Sequence, residues 1–195
     1  LSFEKHDENK LFDNSGFNNR VTLIGDVKFV KGKYGTGIIT GMNGFVKSQD
    51  SPSLDISGHT LSILAWIKPD NENVADFISK GDYNVLKMQN PTTLNFIAGG
   101  WGRGECMASV PENWNDSWHH VAGVYDVDEL RLYVDGVLVQ SIKVTGEIDE
   151  SEFPWSIGRN VEIPLGRHTN GAIDEVKIFK EALEQTDIKK IMNSN

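Results

Sequence analysis

From Trp118 to Val144 the chain reads as three strands in succession, and this run limits the possible architecture more than any other feature. Trp118-His-His-Val-Ala-Gly-Val-Tyr125 and Glu129-Leu-Arg-Leu-Tyr-Val134 are β-rich and are joined by the short link Asp126-Val-Asp128. Asp135-Gly136 then carries the signal of a type I′ turn, and Val137-Leu-Val-Gln-Ser-Ile-Lys-Val144 returns after it. Short links of this kind make neighbouring strands antiparallel.

The same pattern extends along the chain. Leu61-Ser-Ile-Leu-Ala-Trp-Ile-Lys-Pro69 is β-rich and stops at proline. Further strands are expected at Val21 to Asp26, Thr36 to Met42, Gly44 to Ser48, Ala75 to Lys80, Tyr83 to Met88, Thr93 to Ala98, Glu105 to Val110 and Ala172 to Phe179. Turn residues break the chain about every ten positions, the spacing of a sandwich or barrel. Only Glu184 to Met192 reads as helix, with Leu183, Ile188 and Ile191 near helical spacing and Lys189 and Lys190 at the negative end of the dipole. The expectation is an all-β, two-sheet antiparallel sandwich with a short C-terminal helix. A length of 195 residues suits one domain, 1–195.

Composition narrows the function. The formal net charge of -9 disfavours nucleic acid as a partner, and equally an anionic membrane surface. It leaves neutral sugars and Ca²⁺ open. Cys106 is the single cysteine, so an intrachain disulfide and a cysteine-based zinc site are both ruled out. No apolar run approaches the ~20 residues of a membrane span. The chain begins at Leu1 without a leader segment, as a mature form or an excised module would.

Several segments, in order, resemble the laminin G-like, concanavalin A-like jelly-roll family related to pentraxins. Gly32-Lys-Tyr-Gly35 followed by Gly44-Phe-Val46 is similar to its early glycine-rich strand pair. Ser51-Pro-Ser-Leu-Asp-Ile56 leads into Leu61 to Pro69 as in the family. Trp118 to Asp126 and Leu132-Tyr-Val-Asp-Gly136 match its most recognisable strand pair, and Ile157-Gly-Arg159 with Asn170 to Phe179 its closing strands. The resemblance implies a jelly roll and a sugar-binding or adhesion module of a secreted or surface protein. It often brings a Ca²⁺ site. Thr40-Gly-Met-Asn-Gly-Phe45 departs from the family, because carboxylates that some relatives place there are missing.

Asp174 shares strand parity with Val176 and Ile178, which places it inward or at a rim. A buried carboxylate needs a compensating charge or donors. The resemblance suggests Ca²⁺, with Glu4, Asp13 and Asn18 of the N-terminal stretch as further ligands; backbone amides or an arginine would serve equally. Ca²⁺ here would be structural.

Glu147-Ile-Asp149-Glu-Ser-Glu152 fits the E-x-D-x-x-E spacing of sandwich endo-glucanases, in which two carboxylates act as nucleophile and acid. Those enzymes set apolar residues between the acids on a central strand. Here Glu150 and Ser151 stand there, after Gly146 and before Phe153-Pro154, as in a solvated acidic loop. Other catalytic signatures are absent.

Tryptophans divide into two groups. Trp66 and Trp118 lie in apolar strand patterns and read as core. Trp101, in Gly99-Gly-Trp-Gly-Arg-Gly104, and Trp114, in Pro111-Glu-Asn-Trp-Asn-Asp116, lie among turn residues. An exposed indole with Arg103 beside it is what a sugar's apolar face and hydroxyls need. The alternative is an indole folded over the sandwich edge. Tyr83 and Asp82 at one turn and Arg167 with His168 at another are further candidate contacts. The sequence reading is therefore a non-catalytic carbohydrate-binding module, with a protein-binding adhesion module and a small endo-glycanase as alternatives.

Overall fold

A computed structural model describes every residue except 8, 72, 149, 150, 164, 165 and 195. In chain order the strands are β1 (His6–Asp7), β2 (Lys10–Phe12), β3 (Arg20–Ile24), β4 (Lys28–Lys31), β5 (Thr36–Ile39), β6 (Phe45–Ser48), β7 (Thr60–Lys68) and β8 (Ala75–Lys80). They continue with β9 (Asn84–Asn90), β10 (Thr93–Ala98), β11 (Cys106–Ser109), β12 (His119–Asp126), β13 (Glu129–Val134), β14 (Val137–Lys143), β15 (Trp155–Ile157) and β16 (Ala172–Phe179). One helix, α1 (Gln185–Asn193), follows. Among the described residues the strands form two antiparallel sheets, ordered β1-β2-β3-β6-β15-β8-β9-β10-β11 and β14-β13-β12-β7-β16-β5-β4. This is a jelly-roll sandwich.

Alternation along each strand builds the core. Leu61, Ile63, Ala65 and Ile67 of β7 face inward and meet Phe77, Leu86 and Phe96 of the other sheet. Each such side chain contributes about 1.5–3 kcal/mol on burial. The Phe96 ring presses on the backbone of β12 at Gly123, where an added Cβ would lie 2.2 Å from it. Cys106 is buried against the same interior, its Sγ 3.6 Å from the carbonyl oxygen of Leu130. The opposite face of β7 carries Ser62, Leu64 and Trp66. Leu64 packs with Ala122, Val124 and Tyr133 under Ile188 of α1. Trp66 is buried as expected, 7 % exposed, but on the outer face of its sheet and not between the sheets, with the Lys33 ammonium 4.0 Å from its ring.

The hairpins form as the turn chemistry dictates. Val127 turns β12 into β13 at φ 51°, and Asp135 and Gly136 turn β13 into β14 at φ 50° and 72°. Asp135 also accepts the His120 backbone N–H at 2.9 Å and bonds His119 Nδ1 at 2.8 Å. The helix runs one residue later than its sequence pattern. β1, β2 and β4 are not evident as strands in the sequence, and β15 is marked there only at its last residue, Ile157: each is short, and β4 (Lys-Phe-Val-Lys) is a sheet edge guarded by a lysine at either end.

The parity of Asp174 is a correction. β16 is bulged between Asp174 and Lys177, with Glu175 at φ 51°. Ile173 and Val176 both reach the core, and Asp174 pairs across to Trp66 on the outer face. Its carboxylate is still fully buried, because the Gly32–Gly35 turn folds over it.

Candidate functional site

Three polar residues stand side by side on the outer face of the nine-stranded sheet. Asp76 of β8 pairs with Lys87 of β9, and Lys87 pairs with Asn95 of β10. Their strand neighbours Ala75, Phe77, Leu86, Met88, Leu94 and Phe96 point into the core, so alternation sends these three outward. All three are nonetheless buried, because two loops cover them.

One cover is the segment between β15 and β16. Arg167 donates from Nε to Asp76 Oδ1 at 3.1 Å and from Nη2 to Asp76 Oδ2 at 2.9 Å. The same guanidinium reaches Asp82 Oδ2 at 3.1 Å. Asp82 also accepts from Asn160 Nδ2 at 2.7 Å. The backbone repeats the connection, since Asp76 N–H donates to the Arg167 carbonyl at 3.0 Å. Burial pushes the Asp76 carboxyl above the ordinary carboxylate range, and the Arg167 charge works against that push.

The second cover is the glycine loop. Trp101 opens a single 3-10 turn, Trp101–Arg103, and Gly99, Gly100 and Gly104 flank it at φ 76°, 91° and 128°. Those angles suit glycine and few other residues. The Trp101 ring lies 4.4 Å from the Lys87 ammonium and 5.9 Å from the Arg167 guanidinium. Burial lowers the Lys87 ammonium below its ordinary range, aided by the Arg167 charge. The indole remains 38 % exposed. It is thus a solvent-facing ring braced from beneath by two cations, which cation–π attraction favours.

The structure brings Trp101, Asp82 and Arg167 together. Tyr83 lies behind the loop, its carbonyl accepting the Gly100 N–H at 2.8 Å. His168 is half-buried beside Arg167. Two expectations are corrected. Arg103 does not stand beside the indole as a free contact: its side chain packs against Gly99 and Gly146 and hydrogen-bonds the Tyr125 hydroxyl, pinning the loop to the sandwich. Trp114 is 2 % exposed and stacks on His119, ring centroids 4.9 Å apart. Polar turn neighbours misled there, because the ring folds inward from the turn.

Asp76, Lys87 and Asn95 are the residues that sequence reading missed. Each is a polar residue between two large apolar ones, which marks an outer-face position; only the cross-strand register shows that they meet.

The calcium expectation does not fit the donors present. Asp174 accepts the Tyr34 N–H at 3.1 Å and the Glu175 N–H at 2.7 Å. Glu4 accepts the Thr36 N–H at 2.6 Å. Asp13 is ringed by Ser15 and Asn19 donors, and Asn18 is exposed at φ 56°. Each carboxylate faces hydrogen-bond donors where a metal would need further oxygens. Among the described residues no group of three or more His, Cys, Asp and Glu is placed to hold a metal ion. Of the acidic motif, Glu147 and Glu152 are exposed between β14 and β15, and Glu147 pairs with His59 at 3.3 Å. Asp149 lies outside the described residues.

Comparison with known proteins agrees with the architecture. The binding domain of Paraclostridial Mosquitocidal Protein 1 is 16 % identical with a TM-score of 0.78, over 96 % of this chain and 50 % of that one. The binding domain of botulinum neurotoxin DC in complex with SialylT is 17 % identical with a TM-score of 0.71, over 95 % and 51 %. The same domain in complex with rat synaptotagmin II is 19 % identical with a TM-score of 0.75, over 99 % and 51 %. The chain thus spans about half the length of the structures it resembles. No curated protein matches it. A family model described as the concanavalin A-like lectin/glucanases superfamily, Laminin_G_3, matches residues 40–189. With most of its length matched, from the end of β5 into α1, the chain belongs to the concanavalin A-like lectin/glucanases superfamily.

Proposed function

We propose that this chain is a non-catalytic, extracellular or cell-surface binding module that holds a carbohydrate against Trp101. The observation that carries the reading is the exposed Trp101 ring fixed over Lys87 and beside the Arg167–Asp76–Asp82 network. A pyranose presents an apolar face to an indole and a rim of hydroxyls to charged neighbours. The two cations against the ring are balanced by the Asp76 and Asp82 carboxylates, which favours a neutral, hydroxyl-rich ligand. The structural neighbours are binding domains, one of them in complex with SialylT, and this supports the non-catalytic reading. The test is a glycan array, then calorimetric titration of the best sugar against the parent chain and Trp101→Ala. Loss of binding with an unchanged melting curve supports the reading; unchanged affinity sinks it. A panel of β-glucans incubated with the parent chain checks the absence of hydrolysis.

A second reading, protein recognition, draws on β14. It is an edge strand whose Val137, Leu138 and Val139 are 55 %, 44 % and 40 % exposed. An edge of this kind can accept an added strand. One neighbour was solved in complex with rat synaptotagmin II. Val139→Pro would remove that capacity and leave sugar binding at Trp101 intact.

A further inference from the structure

The net charge of -9 is unevenly spread. Residues 1–50 hold seven lysines and arginines against six acids, and the remaining residues hold twelve against twenty-two. Those first residues supply β1, β2, β3 and β6, which form one end of the nine-stranded sheet. The Trp101 loop covers β9, near the other end.

Strand register gathers the cations on one surface. Leu11, Val21, Leu23 and Val46 point into the core. Alternation therefore turns Lys10 and Phe12 of β2, Arg20 and Ile24 of β3 and Lys47 of β6 outward. Thr22 stands directly between Lys10 and Lys47, Phe12 pairs with Arg20, and Ile24 pairs with Phe45. The rows make a flat face about 10 Å wide across three strands and about 14 Å long. Lys10, Arg20 and Lys47 are all exposed.

These cations are not neutralised within the chain. Among the described residues no carboxylate lies within ion-pair distance of Lys10, Arg20 or Lys47. Asp7, opposite Lys10 on β1, stands at the rim, as do Asp26 and Asp50 just beyond β3 and β6. A fourth cation, Arg159, lies 5.7 Å from the Phe45 ring centroid. Apolar side chains are set among the charges. Phe12 and Ile24 are 52 % and 38 % exposed on the face itself, and Phe17 and Met42, in the turns before β3 and β6, are 70 % and 68 % exposed.

The two chemistries together select the partner. Unpaired cations call for an anion, and exposed apolar groups between them call for hydrocarbon in the same plane. A soluble polyanion answers the charge and leaves Phe12 and Ile24 in water. A neutral sugar answers neither. An anionic bilayer supplies both, with charge at its surface and acyl chains just beneath, and the long Lys and Arg stems keep their heads at the headgroup level.

We propose that this face adsorbs to an anionic phospholipid surface, with Lys10, Arg20 and Lys47 against the headgroups and Phe12 and Ile24 entering the headgroup layer. The contact is peripheral, and it does not rest on the sugar reading at Trp101.

The experiment sediments the full chain with sucrose-loaded vesicles of phosphatidylcholine, with and without phosphatidylserine. Binding is expected to need phosphatidylserine and to weaken as salt is raised. Lys10→Gln with Lys47→Gln is expected to weaken it about tenfold or more, since each basic residue near the surface adds to the attraction. Lys189→Gln with Lys190→Gln, the same charge change made on α1, is expected to alter it less than about twofold, because those lysines lie off the face. Phe12→Thr with Ile24→Thr, which keeps strand-forming residues, is expected to weaken binding about threefold or more with the charge unchanged. Melting curves of all three variants are expected to match the parent. The proposal fails if the parent does not sediment with phosphatidylserine vesicles, or if the two lysine pairs lose equally, which is an effect of net charge. It fails equally if the Phe12 and Ile24 variant binds as the parent does, because the face then reads charge alone and its partner is a soluble polyanion.

Discussion

Arg167 closes on Asp76 with two hydrogen bonds, 3.1 and 2.9 Å long, between residues 91 positions apart in sequence. The carboxylate has no exposed surface and the guanidinium side chain is 12 % exposed. This paired contact ties the loop before β16 to the middle of the nine-stranded sheet and fixes the charge beneath Trp101.

Removing one partner leaves a buried charge alone. Arg167→Ala is expected to cost about 3–5 kcal/mol, and Arg167→Lys to recover little of it, because an ammonium cannot reproduce the two-pronged contact. The double replacement Asp76→Leu with Arg167→Leu is expected to cost far less than Arg167→Ala alone. Urea unfolding of the three variants decides it; equal losses in all three would show that the pair is not coupled.

Two buried groups oppose each other in acid. Burial holds the His120 imidazole down to about 4. As pH falls from 6.5 to 4 the unfolded chain takes up that proton and the folded chain does not, so stability drops. Burial holds the Asp174 carboxyl up to about 6. As pH falls from 6 to 3.8 the folded chain takes up that proton first, so stability rises. The two slopes are expected to offset in the parent chain. His120→Phe should gain stability from pH 6 to pH 4, and Asp174→Asn should lose it, as read from urea midpoints at pH 7, 5.5 and 4. Parallel profiles in all three proteins would refute the pairing. His119, raised by its hydrogen bond to Asp135, acts above this window: its contribution is lost as pH rises past 6.5.

Gly32 is required by Asp174. A Cβ at residue 32 would lie 2.5 Å from Asp174 Oδ2 and 2.7 Å from the Gly37 nitrogen. Gly32→Ala is expected to cost about 1–3 kcal/mol or more, since backbone lies on one side and a buried carboxylate on the other. Because the Asp174 oxygens are filled by N–H donors, melting curves in EDTA and in added Ca²⁺ are expected to superimpose. A calcium-dependent rise in Tm would reinstate a metal.

Trp114 is buried with its indole N–H unpartnered. Trp114→Phe is therefore expected to be nearly neutral, trading ring area for relief of an unsatisfied donor. Trp114→Ala is expected to cost about 3–5 kcal/mol. Thermal unfolding separates the two, and equal losses would place the value of this residue in its N–H.

Much of the fold is legible because period-two alternation and turn chemistry are local. The Asp135-Gly136 turn, the β12–β13–β14 meander and the strands at Ala75 to Lys80 and Thr93 to Ala98 follow from neighbours in the chain. The site is less legible because it depends on register and on exceptions to alternation. Trp101 could be singled out by its glycines. Its support from Lys87 could not, because nothing in Asn84 to Met88 says which residue of another strand lies opposite. Asp174 was misplaced by a single bulge, which reverses the parity of everything after it. Trp114 shows the same limit at a turn: polar neighbours describe the backbone's surroundings and not the direction of a ring.

The buried Cys106 gives the molecule an internal clock. Burial pushes its thiol up to about 12, so in the closed sandwich it is neither ionised nor reachable. Alkylation must wait until β11 separates from the strands behind it. With one thiol in the chain, the rate of that reaction reports how often this flank of the sandwich breathes, with no label introduced.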